Sequence, residues 1–272
     1  MTKDFLVSGE SFNLIYDAER EMLHTSPQPE QAELSKYYES ENYISHTDEG
    51  KGLMAFLYHG VKKYSLALKL RLITSLNKGP GSLLDIGAGT GAFLKLAKEH
   101  GWNAQGVEPN ENARLLAAQK ELNLNQTIEE LSGNTFDVIT LWHVLEHLPD
   151  LESTIAKIES LVEPGGILII AVPNYKSFDA RHYKEYWAAY DVPRHLWHFS
   201  KKSMSVLFSS RMKLIKTKPM IFDSFYVSLL SEKYKSGASF STKAILIGLW
   251  SNVAALKSGE SSSLIYCFRK EN

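Results

Sequence analysis

The stretch LLDIGAGTGAFLKLA, which begins at Leu83, constrains the fold more than any other part of this 272-residue chain. An apolar run ends in Asp85, three glycines follow at alternate positions, and apolar residues at helical spacing come next. Glycine permits a tight turn and lets a ligand approach bare backbone, while the first turn of a helix presents free N–H groups. The pattern therefore predicts a strand, a glycine-rich turn and a helix that together bind a nucleotide or an anion.

Strand and helix patterns alternate on both sides of this turn. We predict strands at 82–86, 103–107, 126–128, 136–142, 165–173, 213–220 and 263–270, and helices at 91–100, 111–121, 151–162 and 200–210. The strand at 165–173 is almost wholly apolar, which is typical of a strand buried on both faces of a sheet. Strands that alternate with helices form βαβ units, so the chain is predicted to fold around a parallel sheet.

Two further regions are predicted outside this alternating core. The first residues are polar and rich in turn formers, with one short helix expected near 30–38, whereas residues 53–77 have the apolar spacing of an amphipathic helix. Helical patterns return shortly before the last strand. We therefore divide the chain into an N-terminal helical cap, 1–78, and a main domain, 79–272, which carries a helical insertion at about 223–256.

Two acids narrow the choice of ligand. The letters GAGTGA satisfy the dinucleotide pattern G-x-G-x-x-G/A, which leaves a nicotinamide-binding domain as a rival interpretation. Asp85, however, lies at the turn, where its charge would repel a pyrophosphate and attract a cationic group. Glu108 ends the second strand, where a carboxylate accepts hydrogen bonds from ribose hydroxyls. A positively charged nucleoside without phosphates, such as S-adenosylmethionine, fits both acids.

At this point the chain resembles the class I S-adenosylmethionine-dependent methyltransferases. The stretch LLDIGAGTG resembles the first motif of that family, and VEP at 107–109 resembles the second. FDVITLWHVLEHL at 136–148 is similar to the motif of the fourth strand, and LVEPGGILIIAVPN at 161–174 to that of the fifth. The resemblance covers residues 82–220 and includes the LEHL signature of a subgroup that methylates small molecules.

The resemblance implies a fold, a cofactor and a set of cofactor contacts. The fold is α/β, a Rossmann-like doubly wound sheet of seven strands, mostly parallel with an antiparallel last strand, plus the helical cap and the helical insertion. The cofactor is S-adenosyl-L-methionine, and the product is S-adenosyl-L-homocysteine. Asp85 would orient the amino group of the methionine, and Glu108 would hold the ribose. The implied cofactor contacts are Asp85, Gly87, Ala88, Gly89, Thr90, Gly91, Glu108, Pro109, Thr127, Ile128, Leu141 and Trp142.

The loop at 174–200 is predicted to cover the acceptor, because ligands of open α/β sheets bind beyond the carboxyl ends of the strands. The loop is rich in aromatic residues and carries three histidines. We predict that His195 is the catalytic general base, since DVPRH is expected to form a rigid turn and histidine titrates near neutrality. The alternatives are His182 or His198 in that role, or histidines that only pack and hydrogen-bond within the loop.

Other residues bear on the type of acceptor. Cys267 is the one cysteine and lies in the middle of the last predicted strand, which argues against covalent methylation of a pyrimidine carbon. The Asn/Asp-Pro-Pro-aromatic loop of enzymes that methylate exocyclic amino groups is missing after the fourth strand. Arg194 is expected either to bind an anionic group of the acceptor or to form an ion pair with Asp191. These features favour a small-molecule acceptor.

The sequence HVLEH at 143–147 resembles a Glu-x-x-Glu-His segment that binds metal in some relatives. Its first position is His143 instead of glutamate, so we predict that the site residues include no metal ligand. The alternative is a divalent-metal site in which His143, Glu146 and His147, expected on one helical face, combine with His195 or His198.

Relatives close their N-terminal segment over the cofactor. By that resemblance, contacts with the cofactor are expected from Tyr38, Tyr43 or His46.

Composition limits the partners. The net charge is −1 with a pI of about 6.8, so tight nonspecific binding to nucleic acid is not expected. We read no signal peptide and no membrane span, which predicts a cytoplasmic protein. We therefore predict methyl transfer to a small molecule, with oxygen preferred over carbon or nitrogen, by a monomer or homodimer. The rival functions are methylation of a protein or RNA, and cofactor binding without catalysis.

Overall fold

The computed structural model describes residues 1–30, 33–37, 53–238 and 241–272. Its strands are β1 (Thr2–Lys3), β2 (Ser11–Asp17), β3 (Met22–Ser26), β4 (Ser82–Ile86), β5 (Asn103–Val107), β6 (Phe136–Trp142), β7 (Val162–Pro173), β8 (Trp197–His198), β9 (Met212–Pro219) and β10 (Ser263–Lys270). Its helices are α1 (Leu53–Asn77), α2 (Ala92–Glu99), α3 (Glu111–Ala118), α4 (Leu151–Leu161), α5 (Phe178–Tyr183), α6 (Lys201–Val206), α7 (Asp223–Ser236) and α8 (Thr242–Ser258).

A central sheet with the order β5-β4-β6-β7-β10-β9 organises the main domain. Strands β4, β5, β6 and β7 pair in parallel, and β10 runs antiparallel between β7 and β9. The predicted α/β class and the antiparallel last strand are confirmed. The sheet has six strands instead of the predicted seven, because the segment at 126–128 forms no strand. That segment adjoins only a single bridge between Val107 and Asn125.

Alternate residues of the central strands fill two separate cores. On one face, residues such as Leu84, Ile139 and Leu168 pack against α4 and α6. On the other face, their neighbours Leu83 and Val138 pack against α1 and α2. Because side chains of a strand point alternately to its two faces, a strand covered on both sides must be apolar at nearly every position. This explains the continuous apolar runs in β4, β6 and β7.

The N-terminal residues form strands where the sequence analysis predicted a helical cap. Strands β1, β2 and β3 build a small antiparallel sheet, to which β8 adds the fourth strand. The buried ring of Phe12 packs with Tyr37 and Val192, so long-range contacts with the loop after β7 stabilise the hairpin. In the expected helical region near 30–38, the described residues Leu34–Tyr37 form one turn of 3₁₀ helix. Helix α1 has the predicted bounds.

The predicted helical insertion consists of two helices, α7 and α8, which pack on each other. Gly248 lies at their contact, where an added Cβ would come within 2.9 Å of Phe225 Cα. The fully buried Asp179 of α5 joins this pair to the sheet, because its carboxylate accepts hydrogen bonds from Ser251 at 2.6 Å and Ser262 at 2.7 Å. Within the described residues, no helix combines the length and the apolar character needed to cross a membrane.

Candidate active site

The glycine turn between β4 and α2 uses left-handed backbone conformations at three positions. Gly87, Gly89 and Gly91 have φ angles of 72°, 53° and 74°, a region that residues with a Cβ rarely occupy. The N–H groups of Gly87 and Ala88 donate to the carbonyl of Val107 at 2.8 and 3.0 Å. The turn is therefore fixed to the neighbouring strand β5 by backbone hydrogen bonds.

The three glycines differ in what surrounds them. A Cβ on Gly87 would lie 2.3 Å from Val144 Cγ2, and a Cβ on Gly91 would lie 2.5 Å from Leu122 Cδ1. A Cβ on Gly89 would meet no atom of the described residues within 4 Å. Close packing thus requires glycine at the two outer positions, whereas the middle glycine presents bare backbone to open space, where a ligand can approach.

Glu108 at the end of β5 is bound directly to this turn. One of its carboxylate oxygens accepts a hydrogen bond from the N–H of Gly89 at 2.8 Å, and the other accepts from Asn110 at 2.9 Å. The side chain of Arg114 donates to the carbonyl groups of Glu108 and Pro109. A carboxylate has about four acceptor sites, so these two hydrogen bonds leave acceptor capacity for hydroxyl groups of a ligand.

Asp85 lies inside the fold at the end of β4. Thr140 of the adjacent strand β6 donates a hydrogen bond to it at 2.6 Å. Burial raises the pKa of Asp85 to about 6, although the hydrogen bond from Thr140 and the charge of Lys69 act in the opposite direction. A buried carboxylate of this kind is stabilised in its charged form when a cation binds beside it.

Lys69 of helix α1 is a candidate site residue that the sequence analysis missed. Its ammonium lies 4.3 Å from the centroid of the Trp142 ring. Burial lowers the pKa of Lys69, while the charges of Asp85 and Asp223 oppose that shift. The signal was present in the sequence, since Lys69 follows Leu66 by three residues and so falls on the otherwise apolar stripe of the helix.

The remaining predicted cofactor contacts differ in how accessible their side chains are. Trp142 is partly buried, and its ring also contacts Phe93 edge to face. Leu141 is fully buried in the core, so only its backbone is available to a ligand. Thr127 is exposed, and Ile128 packs partly against the core at the start of a 3₁₀ turn. The carbonyl of Thr90 accepts a hydrogen bond from Lys120.

The cofactor contacts predicted in the N-terminal segment, Tyr38, Tyr43 and His46, lie outside the described residues.

His143 follows β6 and stands between two carboxylates. Its Nδ1 lies 3.3 Å from Glu146, and its Nε2 lies 3.0 Å from Asp223 at the start of α7. Burial alone would lower the pKa of His143, but the hydrogen bonds to Asp223 and Glu146 outweigh it and raise the pKa to about 10. The ring is therefore an imidazolium at neutral pH, and it connects the helical insertion to the central sheet.

His195 and His147 meet on the other side of Glu146. Nδ1 of His195 donates to the carbonyl of Ala189 at 2.9 Å, which leaves the Nε2 lone pair free to accept a proton. The two rings meet edge to face with centroids 4.5 Å apart. One ligand atom from each of Glu146, His147 and His195 lies within 4.8 Å of the others, a set that suits a divalent metal. The prediction of no metal ligand stays a prediction.

Arg194 is committed to structural contacts. Its guanidinium is almost fully buried, donates to Asp191 at 2.7 Å and Asp4 at 2.9 Å, and reaches the carbonyl of Tyr37 at 2.9 Å. Of the two roles considered from the sequence, the ion pair with Asp191 is therefore correct. His198 is also buried and pairs with the hydroxyl of Thr25 at 3.1 Å, which removes it from the site.

Comparison with known proteins agrees with this geometry. The model of a family described as a methyltransferase domain matches residues 58–211, which is more than half of the chain. The chain belongs to the class I S-adenosylmethionine-dependent methyltransferases. This family uses S-adenosylmethionine as its methyl donor, so the cofactor predicted from Asp85 and Glu108 is confirmed at the level of the family.

Curated relatives match less than half of the chain. A ubiquinone biosynthesis O-methyltransferase of Coxiella burnetii is 35% identical over 117 residues, which are 40% of this chain and 50% of that protein. The enzyme of that name from Erwinia tasmaniensis is 33% identical over 105 residues, or 35% of this chain and 43% of that protein. The chain thus spans about half the length of the curated relatives it matches.

Solved structures share the fold over a larger part of the chain. N-methyltransferase NodS from Bradyrhizobium japonicum WM9 with S-adenosyl-L-homocysteine is 15% identical, with a TM-score of 0.52 over 88% of this chain and 97% of NodS. A methyltransferase from Archaeoglobus fulgidus is 20% identical, with a TM-score of 0.50 over 79% of this chain and 99% of that chain. At these identities the likeness concerns the fold alone.

The ion pairs of His143 predict a pH-dependent contribution to stability. Since its pKa is raised from an ordinary value of 6.5 to about 10, the stabilisation is complete below pH 6.5 and is lost as the pH rises through 10. We expect His143→Gln to lower the free energy of unfolding by about 1.5 kcal/mol at pH 6 and by almost nothing above pH 10. Urea titrations at both pH values measure the difference.

Asp223→Asn is the matched control for that experiment, because it removes one partner of the same imidazolium. It should reproduce the loss at pH 6 and the convergence at high pH. A destabilisation by His143→Gln that stays constant from pH 6 to pH 10 would show that the ring contributes by packing only.

Proposed function

We propose that this methyltransferase moves a methyl group from S-adenosylmethionine to an oxygen of a small-molecule acceptor. The observation that carries the cofactor side of the proposal is the pair of acids, Asp85 and Glu108, beside the open backbone at Gly89. The printed name of the curated relatives, ubiquinone biosynthesis O-methyltransferase, supports oxygen as the accepting atom and a quinone-like or lipid-like acceptor.

The three charges of the site correspond to the polar groups of S-adenosylmethionine. Glu108 has acceptor sites left for the ribose hydroxyls, and Asp85 attracts the methionine ammonium and the sulfonium. Lys69 supplies the positive charge for the methionine carboxylate, which would otherwise face two acids. The lowered pKa of Lys69 and the raised pKa of Asp85 both indicate buried charges that a ligand of opposite charge stabilises.

The other predicted contacts take the uncharged parts of the cofactor. The backbone from Gly87 to Gly91, with Ala88 and Thr90, surrounds the methionine and ribose, and the open space at Gly89 supports a close approach there. Pro109 and the Thr127–Ile128 segment enclose the adenine. Trp142 lines the methionine with its ring, whereas Leu141 contributes only backbone because its side chain belongs to the core.

His195 acts as the general base on the acceptor side. When bound, S-adenosylmethionine supplies an electrophilic methyl group. The enzyme must therefore hold the attacking oxygen in line with the bond between sulfur and the methyl carbon and keep water out of the site. His195 accepts the hydroxyl proton of the acceptor at Nε2, while the carbonyl of Ala189 holds Nδ1–H and fixes the tautomer. His147 and Asp191 flank the ring of His195, at 4.5 Å between ring centroids and 4.0 Å from Nε2 to the carboxylate, and limit its orientation.

Calorimetry with two ligands tests the cofactor site. Both ligands carry adenine and ribose, but only S-adenosylhomocysteine also carries the amino-acid part, which methylthioadenosine lacks. We expect Glu108→Ala to weaken both ligands by about 1.5–3 kcal/mol, as when hydrogen bonds to a charged group are lost. Lys69→Met should weaken only S-adenosylhomocysteine, and Lys69→Arg should restore most of its affinity.

Two outcomes of the calorimetry would count against these assignments. Unchanged affinity of both ligands in Glu108→Ala would remove the ribose assignment, and with it the main support for the cofactor site. An equal loss for both ligands in Lys69→Met would mean that Lys69 acts on the fold and not on the methionine carboxylate.

Turnover of a labelled methyl group tests the base. The substrates are a panel of phenols and hydroquinones, with and without prenyl tails, and the donor is S-adenosylmethionine with a tritiated methyl group. We expect His195→Ala to lower kcat by about 10²–10⁴-fold, the usual contribution of a general base, with unchanged affinity for S-adenosylhomocysteine. His182→Gln, in the same loop, is the control and should keep normal turnover. Full activity of His195→Ala would refute the assignment.

A further inference from the structure

Large apolar side chains are exposed along helix α8. Six of them present between 38% and 88% of their surface to solvent, and Leu256 is the most exposed. They are Ile245, Leu246, Leu249, Trp250, Val253 and Leu256. Their spacing of one, three and four residues places all six on one side of the helix.

The opposite side of α8 carries small residues and one large apolar residue, Ile247, which packs against the core cluster that contains Val227 of α7. Ala244, Gly248 and Ser251 are the buried positions, and they allow the close contact with α7. A surface helix normally turns its large apolar residues inward and its polar residues outward. Helix α8 turns six large apolar residues outward, and packing against α7 does not account for these six.

The exposed apolar surface continues from α8 onto two neighbouring elements. The side chain of Asn252 donates to the carbonyl of Ile221 at 3.0 Å, which places the turn before α7 beside the second half of α8. Phe222 follows in that turn and meets Tyr64 of α1 edge to face at 6.0 Å. We name this surface the apolar face and define it as the six α8 residues with Val61, Tyr64, Leu68, Ile221, Phe222 and Tyr226, all of them exposed.

The charged residues of the two helices that carry most of the apolar face have one sign. Neither α1 nor α8 contains an aspartate or glutamate. Lysines stand at both ends of α8, Lys243 and Lys257, and Lys63 is exposed next to Tyr64. Lys243 is paired with Glu232 of α7 at 3.3 Å, and that glutamate is itself almost buried. A partner of this face must therefore cover apolar side chains and carry negative charge near its edge.

We propose that the apolar face docks on the surface of an anionic phospholipid bilayer. Helices that lie in a membrane interface insert leucine, isoleucine and tryptophan among the acyl chains and leave lysines at the level of the headgroups. A second copy of this chain fits less well, because a symmetric contact between two such faces would bring lysines of both copies together. The bilayer satisfies both the apolar area and the positive rim.

The position of the apolar face connects it to the site. Phe222 directly precedes Asp223, the partner of His143 at 3.0 Å, and Tyr64 lies on the same helix as Lys69. A docked enzyme would therefore hold the acceptor side of the site close to the lipid surface. This part of the inference rests on the proposed function, since it assigns an acceptor with an apolar tail that reaches the enzyme from the bilayer.

Vesicle flotation tests the proposal with the full chain. Vesicles of phosphatidylcholine alone are compared with vesicles that contain 30 mol% phosphatidylglycerol, a composition of about one anionic lipid in three. We expect the protein to float with the anionic vesicles. Leu249→Glu and Leu256→Glu should each reduce the bound fraction at least about tenfold, because each removes an apolar side chain that the bilayer would bury. Leu115→Glu, on the exposed side of α3 and away from the face, is the matched control and should bind normally.

Two further readouts distinguish lipid docking from self-association and from damage to the fold. Trp250 fluorescence should shift to the blue with anionic vesicles, and the affinity for S-adenosylhomocysteine should be equal in wild type and Leu256→Glu. Wild-type protein that fails to float with either vesicle would overturn the proposal. So would a stable dimer in sedimentation analysis that Leu256→Glu dissociates, because the face would then be a contact between copies. A chain that floats but binds no S-adenosylhomocysteine would overturn the proposed function and leave the docking surface intact.

Discussion

The hydrogen bond from the Gly89 N–H to Glu108 joins the two halves of the nucleotide site. It connects the acid at the end of β5 to the turn at the end of β4, and helix α2 begins directly after that turn. Glycine is required at positions 87 and 91 because neighbouring side chains fill the space of a Cβ. At Gly89 the absence of a side chain leaves the backbone open where the ligand would approach. Shape and charge are therefore set by the same few residues.

The charges of the site are balanced for a zwitterionic nucleoside. Asp85 is buried, and burial raises its pKa to about 6 despite the hydrogen bond from Thr140. Lys69 approaches from helix α1, outside the alternating strands and helices, and contributes the cation. This arrangement explains why a pattern that also satisfies the dinucleotide motif belongs to a methyltransferase.

The central sheet was predictable because its signals are local. Apolar runs, glycines and capping residues fix β4, β6 and α2 within a few residues, and the bounds of β4 and β6 were predicted correctly. The N-terminal hairpin was not predictable, since it depends on contacts of Phe12 and Arg194 between distant parts of the chain. The predicted seventh strand at 126–128 was wrong for a similar reason, because pairing at the sheet edge beyond β5 leaves only a weak signal in the local sequence.

The site shows the same division between local and distant information. Asp85 and Glu108 could be found from their position at strand ends, whereas Asp223 reaches His143 only through the packing of the helical insertion. The most direct test of the cofactor assignment is a calorimetric comparison of S-adenosylhomocysteine with NAD⁺ on the wild-type chain. We predict micromolar or tighter binding of the first and no measurable binding of the second. Preference for NAD⁺ would contradict the assignment of two acids to a cationic, phosphate-free ligand.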